Sequence, residues 1–231
     1  MHIHYLQHAA FEDAANISAW ARERGHRLTH TRLDLDQSLP DPESLDWLIV
    51  MGGPMNVDED EIYPWLAREK LFIRRVIDRG VPVLGVCLGG QMVCKVLGGQ
   101  VTKNRQKEIG WFPLTLTSAA AGSPIFASFP QLVPAFHWHG DTFSIPPGAI
   151  RLAASEGCDN QAFQYGRHVV ALQFHWDYSL QSVEMMIRHC GDELIAAPGI
   201  QQPAEMLARA ERFDEIRVLL YELLDALAAG N

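Results

Sequence analysis

The run Val81-Pro82-Val83-Leu84-Gly85-Val86-Cys87-Leu88-Gly89-Gly90-Gln91 constrains the chain more than any other stretch, because a short apolar segment breaks at a cysteine held between glycines. Val81, Val83, Leu84 and Val86 read as a buried strand, and Gly89-Gly90 opens an apolar helical pattern. Cys87 therefore sits at a strand-to-helix turn. Small residues on either side let such a turn bend sharply and lift the central side chain clear of the sheet. The unpaired N–H groups and positive dipole end of the following helix stabilise a thiolate there. The competing reading is a small buried hydrophobe, since free cysteine is among the most buried residue types.

A second apolar strand, Ala171 to Phe174, runs into His175 with Asp177 two residues later. On extended chain those two side chains share a face, which suits an imidazole oriented by a carboxylate. Cys87 and His175 are far apart in sequence, as nucleophile and base commonly are. Ahead of Cys87 the sequence alternates. A strand at His2–Ala9 precedes a helix beginning at Glu12-Asp13, with Ile17, Trp20 and Ala21 on one face and Gly25 at its stop. Arg27–Leu35 reads as the second strand and Trp47–Met51 as the third, the latter ending in Gly52-Gly53-Pro54. A helix starting at Pro64 carries Phe72, Ile73, Val76 and Ile77 inward and ends at Gly80.

This alternation predicts an α/β fold, an open and mostly parallel sheet with helices on both faces. From Gln100 to Ala171 short runs separated by Gly and Pro predict added antiparallel strands. Ligands bind such sheets beyond the carboxyl ends of the strands, where Cys87 and the Gly52-Gly53 loop both fall. With 231 residues, 48% of them apolar, one large domain is expected, here 1–198, followed by an amphipathic helical extension, 199–231. In that extension Phe213, Ile216, Leu220, Leu223 and Leu227 line one face, to pack on the domain or on a partner.

The motifs MGGPMNV at 51–57, GVCLGGQ at 85–91, HWHGDTF at 137–143 and QFHWD at 173–177, in that order, resemble the class I glutamine amidotransferases of the triad type. The resemblance is to a stand-alone glutaminase of the GMP-synthase kind, and implies a flavodoxin-like architecture. It assigns Cys87 as nucleophile, His175 as base and then acid, and Asp177 as the orienting carboxylate. It further implies an oxyanion hole from the N–H groups of Gly53 and Leu88, and glutamine contacts from Gly52, Gln91, Trp138, His139 and Gly140. Two departures stand out. Asp177 replaces the usual Glu, a methylene shorter, and Trp176 stands where proline is common.

The implied chemistry is hydrolysis of the glutamine side-chain amide through a Cys87 thioester, with ammonia passed to a separate synthase. No synthase region accompanies the motifs, so a γ-glutamyl conjugate hydrolase with the same site is the second reading, and a non-catalytic binding or regulatory module the third. No cofactor is implied. Metal binding is not expected either, because His137 and His139 share a strand face but lack a third ligand. A net charge of −9 without a basic run argues against nucleic acid. The uncharged stretch Ile109–Phe136 is broken by Pro113, Pro124, Pro130 and Pro134, so no membrane span is predicted. Four cysteines without CxxC spacing, and no signal peptide, suggest reduced thiols in a cytoplasm. Oligomeric state is not legible.

Overall fold

In the computed structural model, which describes residues 1–230, the first half of the chain is a regular α/β alternation. It runs β1 (His2–Gln7), α1 (Ala15–Glu23), β2 (Arg27–Arg32), β3 (Trp47–Val50), α2 (Trp65–Asp78), β4 (Val83–Val86) and α3 (Leu88–Val96). Strands follow: β5 (Val101–Trp111), β6 (Leu114–Leu116), β7 (Leu132–Val133), β8 (Phe136–Phe143), β9 (Ala149–Ala154), β10 (Ala162–Tyr165) and β11 (Val169–Leu172). Three helices close the chain: α4 (Leu180–Cys190), α5 (Pro203–Leu207) and α6 (Glu211–Ala229).

Nine strands form one sheet in the order β2-β1-β3-β4-β11-β10-β9-β6-β7, and β5 pairs with β8 in a separate antiparallel ribbon. The pairs β2–β1, β1–β3, β3–β4 and β4–β11 are parallel, whereas β10 and β9 add to the far side antiparallel. The doubly wound, flavodoxin-like order with added antiparallel strands is thus present. Because successive strand residues face opposite ways, Trp47 and Ile49 enter the core on one face while Leu48 and Val50 enter the core on the other. Helix α2 buries Leu66, Phe72, Ile73, Val76 and Ile77 against the second of these. Each such side chain contributes about 1.5–3 kcal/mol when fully buried.

Three element boundaries differ from the sequence reading. The second strand stops at Arg32, and Leu33–Leu35 forms a 3-10 turn. The first helix begins at Ala15, which leaves Glu12 in the β1–α1 loop, buried. The last parallel strand ends at Leu172, so the chain from Gln173 to Asp177 lies beyond the strand and not in it. At the carboxyl terminus, α6 buries Phe213, Ile216, Leu220, Leu223 and Leu227. Its Asp225 accepts from Trp20 Nε1 at 2.8 Å and pairs with Arg24, which follows α1 directly. No helix among the described residues is long and apolar enough to cross a membrane.

Candidate active site

Residues beyond the carboxyl ends of β1, β3 and β4, with others from β5, β8 and α4, meet over one cleft of about 240 Å³. Cys87 stands at its floor with φ 52° and ψ −110°, a conformation rare for a residue with a side chain. Such strain costs about 1–3 kcal/mol and persists only where the surroundings fix it. Here they do: Cys87 N–H donates to Leu172 O of β11 at 2.8 Å, and Gly89 N–H donates to Met51 O at 3.1 Å. Glycine at 89 is forced by packing, since a Cβ there would run into Val50 O. The Cys87 thiol lies 3.7 Å from both Trp138 O and Gln173 Nε2.

His175 is held by an isolated antiparallel bridge to Phe136, its N–H donating to Phe136 O at 2.7 Å. The imidazole stacks on Tyr178 with centroids 3.8 Å apart. Its Nδ1 is 3.0 Å from Asp177 Oδ1, and both side chains are 1% exposed. The shorter carboxylate therefore reaches the imidazole. Burial works against the protonated ring, but the charge and hydrogen bond of Asp177, joined by Cys87, hold its pKa up at about 10. His175 Nε2 is buried without a hydrogen-bond partner.

At the mouth of β3, Gly52 O accepts from His8 Nδ1 at 2.8 Å, and His8 Nε2 lies 2.8 Å from Glu69 Oε1. His8 and Glu69 are wholly buried, and Trp65 stacks on the imidazole. The C=O of Gly52 and the N–H of Gly53 belong to one planar trans peptide and point in opposite directions. Turning the carbonyl toward His8 therefore turns the Gly53 N–H away from it. Neither the Gly53 nor the Leu88 amide donates to any partner among the described residues.

Gln91, Trp138 and Gly140 line the cleft with Gly53, Leu88 and Cys87, while Gly52 lies behind it against Glu12 and His175. Gln91 Nε2 donates to Gln173 Oε1 at 3.2 Å. His139 also borders the cleft, but its Nδ1 faces Asp141 O and its Nε2 lies 3.2 Å from Glu108. With both nitrogens engaged, its ring has none left for a ligand.

The reasoning that His137 and His139 lack a third metal ligand needs correcting, because Glu108 on β5 supplies one. The space between the three is nonetheless filled by Gln161. Its Nε2 donates to Glu108 at 2.7 Å and lies 3.4 Å from each imidazole. These residues close on one another as a buried hydrogen-bond network.

Sequence reasoning missed His8, Glu69, Glu12 and Tyr178. None belongs to a local motif, and Glu12 looked like an ordinary acidic helix start. Glu59, from the loop after β3, also lines the cleft.

The family model for class-I glutamine amidotransferases matches residues 13–191. Over its whole length the chain is 34% identical to YfeJ of Salmonella typhimurium, described as a glutamine amidotransferase-like protein, and covers 99% of it. It is 31% identical to a glutamine-hydrolysing GMP synthase subunit of Thermoplasma volcanium over 58% of this chain and 63% of that one. The crystal structure of a glutamine amidotransferase from Thermotoga maritima superposes with a TM-score of 0.89 at 32% identity, over 98% of this chain and 97% of that chain. Matched by the family model over most of its length and by a solved glutamine amidotransferase in fold, the chain belongs to the class I glutamine amidotransferase family.

Proposed function

We propose that the protein is a glutaminase that cleaves the side-chain amide of glutamine through a γ-glutamyl thioester on Cys87. The observation that carries this reading is the strained Cys87 elbow opening on one cleft with two partnerless amides, Gly53 and Leu88, and with the buried His175–Asp177 pair acting on Cys87 from behind it. The Cys87 thiolate attacks the amide carbon, and the oxyanion is received by the Gly53 and Leu88 N–H groups. A donor of this kind is worth about 2.7–4 kcal/mol. Imidazolium His175 then gives its proton to the amide nitrogen, ammonia departs, and water hydrolyses the thioester with His175 as base. Asp177 keeps the ring oriented and charged. Gln91, Trp138 and Gly140 bind the amino-acid end.

The similarity to a GMP synthase subunit supports delivery of ammonia to a separate acceptor protein. Four free, buried cysteines fit a reducing compartment such as the cytoplasm. A second reading, hydrolysis of γ-glutamyl conjugates, draws support from the charged rim. There Lys103 pairs with Asp141 and Lys107 with Glu193, groups able to meet a polar tail beyond the scissile bond.

The test is kcat/KM of the purified chain for glutamine against γ-glutamyl dipeptides, with Cys87→Ser as control. Ammonia release that disappears in Cys87→Ser supports the proposal. A preference for dipeptides above roughly a hundredfold, about 2.7 kcal/mol of transition-state binding, would replace it by the second reading.

A further inference from the structure

The chemistry just proposed leaves one buried carboxyl of the cleft without a role. Glu12 is 6% exposed and lines the same cleft as Cys87. Tyr178, whose ring lies on the His175 imidazole, donates its hydroxyl proton to Glu12 Oε2 at 3.3 Å. A Cβ added to Gly52 would collide with Glu12 Oε2 and stand 3.5 Å from His175 Cε1, so carboxyl and imidazole edge face each other across a position that only glycine leaves open. The other oxygen, Oε1, has no hydrogen-bond partner among the described residues. Glu12 thus stands beside the His175 imidazole and the Tyr178 ring that stacks on it.

The leaving nitrogen must lie beside the imidazole too, because His175 has to reach it with Nε2. When the proton passes from His175 to the amide nitrogen of the tetrahedral intermediate, that nitrogen becomes cationic. The C–N electron pair then leaves with it as ammonia, the oxyanion pair re-forms C=O, and the S–C bond remains. Positive charge on nitrogen exists only along this step, so a negative partner placed there lowers the barrier without tightening substrate binding.

We propose that Glu12 is a leaving-group site, its carboxylate receiving the protonated nitrogen that departs as ammonia or a primary amine. This rests on the thioester reading above. Burial pushes the Glu12 carboxyl above the usual carboxylate range, against the pull of the His175 and His8 imidazoles, so ionisation is costly in the resting site. A cation forming beside it offsets that cost.

The experiment compares kcat/KM for glutamine with kcat/KM for the γ-methyl ester of glutamate, whose leaving oxygen takes its proton as the C–O bond breaks and so carries no positive charge beforehand. In Glu12→Gln the amide-to-ester ratio should fall at least roughly tenfold relative to wild type. Tyr178→Phe, which removes the hydroxyl that orients the carboxyl, should move the ratio the same way by less. Circular dichroism and thermal melting establish that both variants fold. Proportional loss on both substrates, or an unmoved ratio, overturns the leaving-group site and leaves the thioester reading intact. A wild-type chain that turns over neither substrate overturns the thioester reading and the site with it.

Discussion

His8 Nδ1 lies 2.8 Å from the carbonyl oxygen of Gly52, and this contact sets the direction of the Gly53 N–H. The contact requires a proton on Nδ1. Because Nε2 faces the Glu69 carboxylate, a doubly protonated imidazolium satisfies both neighbours. Burial opposes that charge, but Glu69 and the Gly52 carbonyl together hold the His8 pKa above its ordinary value. The glycine loop is thereby fixed from within the chain.

The first prediction follows. His8→Ala frees the Gly52-Gly53 peptide to rotate and should lower kcat for glutamine by up to about 10²–10³-fold, the cost of one oxyanion donor, with KM little changed. Glu69→Gln should give a smaller loss in the same direction. A loop fixed in this way also predicts measurable glutaminase activity of the purified chain without a partner. Steady-state kinetics check both. A rise in KM at constant kcat would instead place His8 in ground-state binding.

A second prediction concerns the four thiols. Burial pushes the thiols of Cys94 and Cys190 up to about 11 and about 12, and raises that of Cys158 as well. Cys87 opens on the cleft at a helix N-terminus. A glutamine-like electrophile should label Cys87 ahead of the other three: Cys94 and Cys158 lie off the cleft, and Cys190, which also borders it, is kept protonated by burial. Peptide mapping after partial labelling is the check, and equal labelling of all four would remove Cys87 from the mechanism.

The pH profile gives the third. Against burial, Asp177 and Cys87 hold the His175 pKa up at about 10, and in the proposed mechanism that proton is the one given to departing ammonia. For glutamine, kcat/KM should therefore hold into the alkaline range and fall as pH passes about 10. Asp177→Ala removes the main influence raising this pKa while burial still lowers it, so the alkaline limb should move to lower pH. Loss of orientation should also cost kcat at least roughly tenfold. An unmoved limb in the variant would mean that another group holds the imidazole.

Much of this site was legible because its parts are local. A glycine-flanked cysteine after Val83-Leu84, or a Gly-Gly-Pro after Trp47–Val50, signals its backbone geometry within a few residues. The parallel pairing of β1, β2, β3 and β4 followed from alternation and crossover handedness, whereas β11, in the stretch read as antiparallel, pairs parallel with β4, because a partner so distant in sequence leaves no local signal. By contrast His8, Glu69 and Glu12 act through contacts made only when β1, β3 and α2 pack together, and no periodicity encodes those. Glu12 misled because acidic residues favour the first helical turn, yet here the chain delays α1 until Ala15 and buries the carboxyl instead. The third neighbour of His137 and His139 was invisible for the same reason: Glu108 arrives from the opposite strand of the β5–β8 ribbon.

The last prediction concerns stability and sets the elbow against ordinary core packing. Cys87 holds φ 52° and ψ −110°, where a side chain is strained and glycine is not. Replacing Cys87 with Ala removes the thiol but keeps the Cβ and so keeps the strain. Replacing it with Gly removes both, at a cost of about 0.5–1 kcal/mol for the greater freedom of the unfolded chain. Relief of about 1–3 kcal/mol of backbone strain exceeds that cost over most of its range. Cys87→Gly should therefore be more stable than Cys87→Ala by about 1 kcal/mol, which for a chain of this size raises Tm by about 2–4 °C. Both variants should be inactive, so the comparison reads the backbone alone. Urea midpoints and thermal melts of the two purified variants provide the measurement. A less stable Gly variant would mean that the elbow carries no strain and that Cys87 owes its exposure in the cleft to packing alone.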